Sequence, residues 1–235
     1  MKKLVLSGCI ALVITTPLFA ADASPKDEVT AAAKKLGEKA NYSWKTTVVV
    51  PEDAPFKPGP TEGMIEKDGY TVLTMSFGGN ESKAVLKGDK GAAQNRDGEW
   101  QSLSDMANSE GPGRFMAARL QTFKAPAAQA AQLASLAKDL KKDGDAYSGD
   151  LTEEGAKTML SFRPRSGGDS SVSNAKGSVK FWLKDGELTK YEFNVKGTVS
   201  FNGNDMDQDR TSTVVIKDVG STKVTIPEEA KKKLS

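Results

Sequence analysis

The sequence predicts an α+β fold, an antiparallel sheet with amphipathic helices laid over one of its faces. The first observation behind this is a late stretch, Gly177 to Val219, holding three runs of period-two alternation. Val179, Phe181 and Leu183 form one; Tyr191, Phe193, Val195, Val199 and Phe201 the next; Val214 and Ile216 the last. Lys, Glu, Asn, Thr or Ser fill the places between, as expected where one sheet face is buried and the other wet. The second observation is Asp185-Gly186 between the first two runs, which supplies the positive φ angles of a tight hairpin turn. The third is a set of helical apolar stripes elsewhere in the chain, which give the sheet something to bury its greasy face against.

The chain opens with Met1-Lys2-Lys3, an apolar run from Leu4 to Phe19, and small residues at Ala20, Ala21 and Ala23. That order describes a secretory signal peptide over residues 1–20, cleaved near Ala20, and places the mature protein in the periplasm or outside the cell. The apolar run falls short of the roughly 20 residues an ordinary spanning helix needs, so the mature protein is not expected to be integral to a membrane. Leu6-Ser7-Gly8-Cys9 matches the bacterial lipobox, an alternative in which Cys9 is lipidated. Only two apolar residues, Leu4 and Val5, precede that box after the lysines, so cleavage near Ala20 is favoured. Residues 21–235 are read as one domain, since no repeat or second composition regime interrupts them.

Ser24 to Lys39 reads as a first helix: Ser24 as N-cap, Pro25 at the first position, acids in the first turn, and Val29, Ala32, Ala33 and Leu36 on one face. Asn41 to Val50 is β-branched and aromatic and reads as the first strand. Pro51 to Pro60 carries four prolines and must be a connection. Strands follow over 63–67 and 70–77 across Asp68-Gly69, then over 83–87 and 91–96, with Asp97-Gly98 leading into Glu99-Trp100. Helical spacing resumes over 113–123 and again from Pro126 to about 141, where Ala130, Leu133, Leu136, Ala137 and Leu140 follow the i, i+3, i+4 rule. A short strand over 147–151, a brief helix from Thr152, a strand over 158–163, a Ser/Gly loop over 164–174, the meander and a last helix from Pro227 complete the chain.

The exclusions are sharper than the assignments. The chain has no histidine, and its one cysteine, Cys9, lies inside the signal segment. The mature protein therefore has no disulfide, no thiol nucleophile, no Ser-His-Asp arrangement and no zinc or copper site built on imidazole or thiolate. Loss of Lys2 and Lys3 leaves 31 basic against 31 acidic residues, so no net field steers the protein to nucleic acid. Asp205, Asp207 and Asp209 match the first three positions of a calcium loop, but Arg210 stands where the glycine belongs and Ile216 where the bidentate glutamate belongs. A polar hairpin loop is the favoured reading. Ser135/Lys138 and Ser173/Lys176 have the spacing of a Ser/Lys pair without its accompanying Lys-Thr-Gly element. Glu153-Glu154 and Glu228-Glu229 open helices, where carboxylates oppose the positive end of the dipole. No cofactor, no metal and no enzymatic activity are expected.

The order of elements, with an opening helix running into Tyr42-Ser43-Trp44, Asp97-Gly98-Glu99-Trp100 before the central helices and Lys184-Asp185-Gly186-Glu187-Leu188 in the late hairpin, resembles the LolA/LolB lipoprotein carriers and the LppX/LprG lipid-binding proteins. The resemblance implies a curved antiparallel sheet, a half-open barrel, wrapped around a hydrophobic cavity under a helical lid. Carried onto this chain, it makes Trp44, Leu73, Met75, Phe77, Phe181, Phe193 and Val195 the cavity lining and Phe115, Met116, Leu120, Phe123, Leu133 and Leu136 the lid. The lid-latching arginine of the lipoprotein carriers has no assigned counterpart. The function implied is non-enzymatic binding or transport of a lipid or other apolar ligand. The alternative is an envelope protein whose core is filled by its own side chains and which binds another protein.

Overall fold

The structure is a computed structural model and describes residues 23–54, 57–77, 79–161, 170–201 and 203–234. The signal segment with Cys9, part of the proline-rich loop, most of the Ser/Gly loop and Asn202 lie outside the described residues, as do the side chains of Phe77 and Phe201.

The chain lays down α1 (Pro25–Glu38), then β1 (Asn41–Val49), β2 (Thr61–Glu66), β3 (Thr71–Phe77), β4 (Asn80–Lys87), β5 (Lys90–Gln94) and β6 (Trp100–Ser102). Three helices follow, α2 (Leu103–Asn108), α3 (Pro112–Gln121) and α4 (Pro126–Leu136). After β7 (Lys141–Asp143), β8 (Ala146–Asp150) and α5 (Glu153–Leu160) come the long strands β9 (Ser170–Lys184), β10 (Glu187–Phe201) and β11 (Asn204–Lys217), and then α6 (Glu228–Lys233). The strands form one antiparallel sheet in the order β6-β5-β4-β3-β2-β1-β11-β10-β9-β8-β7. It is an open, half-barrel sheet with edges at β6 and β7. Its seam is the β1–β11 pair, registered from Ser43 opposite Lys217 to Val49 opposite Thr211, which joins the first strand to the last.

Strand alternation sorts the side chains onto two faces. On the inner face Trp44 lies opposite Ile216 on one side and Gly63 on the other, and the row continues through Leu73, Ala84 and Ala93. On the outer face Val72, Val85, Ala92 and Trp100 make a small second cluster closed by Ala230 and Leu234 at the end of the chain. The helices other than α6 pack on the inner face. Small residues bring α1 and α4 together, so that a Cβ on Gly37 would sit 3.5 Å from that of Ala127. Leu103, Met106, Ala117 and Leu120 carry α2 and α3, and Ala156 and Leu160 seat α5.

Three expectations are corrected. The helix begun at Pro126 stops at Leu136, not near 141, because Ala137 bridges Leu151 and the Lys138 amide donates to the Asp150 carbonyl, 2.9 Å. Thr158 to Leu160 belong to α5, not to a strand. α2 and a sixth strand precede the predicted central helices. At Ala137 a tertiary pairing overrides local propensity, which is a weak prior.

Thr152 caps α5 through its Oγ1, which accepts from the Gly155 amide at 2.9 Å, as Ser24 caps α1 from Asp27. Thr152→Ala is expected to lower stability by about 1 kcal/mol. A urea-unfolding midpoint equal to that of the parent protein would show that water caps the helix equally well.

Candidate functional site

The residues predicted to line a cavity do converge on the inner face. Trp44, Leu73, Met75, Phe181, Phe193 and Val195 are all buried within one apolar cluster. Rings run along this floor. Tyr42 and Trp44 have centroids 5.8 Å apart, Trp44 stacks on Phe123 at 6.1 Å and 18°, and Phe181 and Tyr191 lie 6.3 Å apart. Trp44 can lie flat because its cross-strand neighbour is Gly63; a Cβ there would collide with the indole ring. Gly91 makes room for Leu103 in the same way.

The predicted lid residues divide. Leu120 and Leu133 are buried, Met116, Phe123 and Leu136 are half-buried against the core, and Phe115 is 59% exposed. Lid and floor touch directly, so around Trp44 the inner face is filled by the protein's own side chains.

Two buried phenols mark the floor beneath α4. The Tyr191 hydroxyl donates to Gln129 Oε1 at 2.7 Å, and the Ala127 amide donates to the Tyr42 hydroxyl at 3.5 Å. Burial pushes the Tyr42 pKa up to about 12 and that of Tyr191 well above the usual phenol value, because the phenolate would be charged in an apolar surrounding. Nearer the surface, Glu28 accepts from Lys142 at 2.7 Å and from the Tyr147 hydroxyl at 2.6 Å, and these bonds, the one from Lys142 foremost, hold its carboxyl below the usual range.

At the opposite end of the long strands, near the β10–β11 turn, the cover thins. Along β11, Ser212, Val214 and Ile216 are packed inside while Gln208 and Arg210 are half-exposed and Met206 is 51% exposed. Val172, Val199 and Met159 remain only partly buried there. This is the mouth of the half-barrel, a strip of apolar inner face that the helices do not fully cover.

Arg210 is the residue sequence reading missed. Opposite Val195 and in phase with Ser212 and Val214, it occupies an inner position, and its Nη2 donates to the Met159 carbonyl of α5 at 2.7 Å, tying sheet to helix. Its phase with Val214 and Ile216 was the signal that could have found it. The carboxylates beside it take the outer positions and lie in β11 rather than in a loop. Asp205 accepts from Ser200, Asp207 from Thr198 and Asp209 from Asn194. Among the described residues no group of three or more His, Cys, Asp or Glu could hold a metal ion. Ser135 donates to the Gln132 carbonyl, and Glu153, Glu154 and Glu228 pair within their own helices with Lys157 and Lys231.

Two depressions accompany these features. One of about 190 Å³ opens at the lid's edge, where Leu86, Leu103, Leu120 and Phe123 meet a rim of Thr71, Asp89 and Lys90. The other, of about 560 Å³, is a polar groove that takes in Lys138, Asp150, Lys180, Glu192 and Asn194. No helix among the described residues is long and apolar enough to cross a membrane.

Fold and site together define an open antiparallel sheet with a helical cover, whose apolar inner face reaches the surface at a mouth. No protein-family profile and no curated protein matches the chain. Among solved structures it is similar to LprF from Mycobacterium bovis, with 13% identity and a TM-score of 0.47 over 88% of this chain and 97% of that one. It is likewise similar to the Mycobacterium tuberculosis lipoprotein LppX, with 10% identity and a TM-score of 0.48 over 88% of this chain and 100% of that one. A likeness of this size bears on neither ligand nor mechanism.

Proposed function

We propose that the protein is a non-enzymatic carrier or binder of a lipid-like ligand, acting in the periplasm or outside the cell, with the ligand entering at the mouth and lying along the inner face. The observation that carries this reading is the incomplete cover of that face near the β10–β11 turn, where Met206 is exposed and Val172, Val199 and Met159 are only half-buried. An apolar strip left open beside a covered floor suits an acyl chain. Burying such a chain is worth ~0.8 kcal/mol per methylene, so roughly fourteen carbons give on the order of 11 kcal/mol before association costs. No reactive side chain is needed.

The lid helices suit a role in admission. α2 and α3 meet at Gly111, whose φ of 82° is a left-handed conformation, and α3 hands over to α4 through the short segment 122–125. Rotation of α3 between these points would lift Leu120 away from the inner face and widen the opening there.

The test is native mass spectrometry and solvent extraction of protein purified from the periplasm, with uptake of a fluorescent fatty acid by the emptied protein. Lipid near one equivalent is expected. Phe115→Asp, at an exposed position, is expected to weaken uptake about tenfold without shifting the unfolding midpoint; Leu120→Asp and Phe193→Asp extend the test to lid and floor. A clean mass and no uptake of fatty acid or phospholipid would overturn the reading. It would favour a second one, an envelope protein-interaction module, which is supported by the direct packing of Phe123 on Trp44 over Gly63.

A further inference from the structure

We propose that the outer side of the lid, built around Phe115 of α3 with Arg114 beside it and Lys124 beyond the helix end, docks on an anionic lipid bilayer, where the protein collects or delivers its ligand. The proposal rests on the carrier reading and names the surface at which exchange takes place.

The sequence sets this face apart. From Gly111 to Leu136, which spans α3, α4 and the segment between them, the chain carries Arg114, Arg119 and Lys124 and no acid, although 31 acids are spread over its 235 residues. All three cations are exposed. The nearest acids before the stretch, Asp105 and Glu110, belong to α2 and the segment after it. The full chain has a formal net charge of only +2, so this is a local segregation of charge and not a general excess.

Helix geometry decides which side the charges take. Ala117 and Leu120 are buried and Met116 packs against the core, so these positions face the sheet. Arg114, Phe115 and Arg119 are exposed on the opposite side, the last two one turn apart. Lys124 donates to Gln132 Oε1 of α4 at 2.9 Å, a neutral partner that leaves its charge uncompensated. Among the described residues no carboxylate pairs with Arg114 or Lys124. Beyond Lys124, α4 adds Ala128 and Ser135, exposed and uncharged.

Phe115 supplies the apolar half. It is 59% exposed, the one aromatic among the exposed large apolar residues. In water that exposure costs free energy; at a bilayer the ring enters the acyl boundary while the neighbouring cations meet lipid phosphates. A bilayer asks for no match of shape, only an apolar wedge with cations around it, and this face has both. The same helix covers the inner face through Leu120 and starts next to Gly111, whose φ is 82°. Contact with the bilayer and opening of the lid therefore act on one element.

The experiment measures co-sedimentation of the purified protein with vesicles of phosphatidylcholine alone and of equal parts phosphatidylcholine and phosphatidylglycerol, beside uptake of a fluorescent fatty acid from solution. Binding to the anionic vesicles is expected to be at least about tenfold tighter than to the neutral ones and to weaken with added salt. Arg114→Gln and Lys124→Gln are each expected to weaken it about fivefold while uptake of the free fatty acid stays unchanged. Phe115→Ser is expected to weaken binding to the anionic vesicles about tenfold. Lys180→Gln combined with Lys196→Gln removes the same charge from exposed positions on the outer face of the sheet and is expected to leave vesicle binding nearly unchanged. Equal binding to the two kinds of vesicle, or a loss in the sheet pair as large as in the lid pair, overturns the docking face. Uptake without vesicle binding overturns it too and leaves the carrier reading standing. Vesicle binding without uptake removes the carrier reading, and the exchange role with it.

Discussion

Gly63→Val is expected to lower stability by about 3 kcal/mol, the upper part of the usual range for overpacking. The indole of Trp44 lies across the α-carbon of residue 63, so that even a Cβ there would collide with the ring. Valine must therefore evict Trp44 from its place between Tyr42 and Phe123 or splay β1 from β2. Neither relaxation is local. Trp44 is the contact through which sheet and lid meet, and β1 is the strand that joins the two halves of the sheet. The measurement is a urea-unfolding midpoint together with tryptophan emission, expected to shift to the red as the ring becomes wet. In a Trp44→Leu background the same Gly63→Val change should cost far less, because the group it collides with is gone. A wild-type midpoint for Gly63→Val, or an undiminished loss in the Trp44→Leu background, would sink the account.

The second large effect is alkaline. The Tyr42 and Tyr191 pKa values are raised by burial, so between pH 10 and about 12 the unfolded chain releases phenolic protons that the folded protein retains. The unfolded state then binds fewer protons, and the stability these groups contribute, complete below pH 10, falls as pH rises. Well inside that window each tyrosine contributes a slope approaching ~1.4 kcal/mol per pH unit, so Tyr42 alone accounts for roughly 2 kcal/mol by pH 12. Tyr191→Phe is expected to cost about 1 kcal/mol at neutral pH through the lost bond to Gln129, and to reduce the alkaline slope by the share Tyr191 contributes. Unfolding midpoints at pH 8, 10 and 11 decide it; equal slopes in the two proteins would contradict the burial argument.

Much of the sheet was legible because alternation is a local signal. Phe181, Phe193 and Val195 announce an inner face without any knowledge of their partners, and the same parity placed Trp44, Leu73 and Met75 beside them. Ser24, Pro25 and the stripe from Val29 to Leu36 specify α1 for the same reason. What escaped the sequence depends on distant pairings. Nothing near Ala137 says that Leu151 will bridge it and end α4, and the apolar spacing through Leu140 argues for more helix. Arg210 was masked by its neighbours: in a run of aspartates it read as a misfit in a calcium loop, although its parity with Val214 and Ile216 put it on the inner face. Glycine was informative only in retrospect. That Gly63 leaves space for an indole follows from its cross-strand register with Trp44, which the sequence does not contain.

The seam between β1 and β11 bears on how the protein comes to be folded. The first strand made is completed by the last, Ser43 against Lys217, so β1 keeps an unpaired edge until nearly the whole chain is available. Contacts of such long sequence separation form slowly, and folding is expected to be governed by this closure and not by the fast local hairpins.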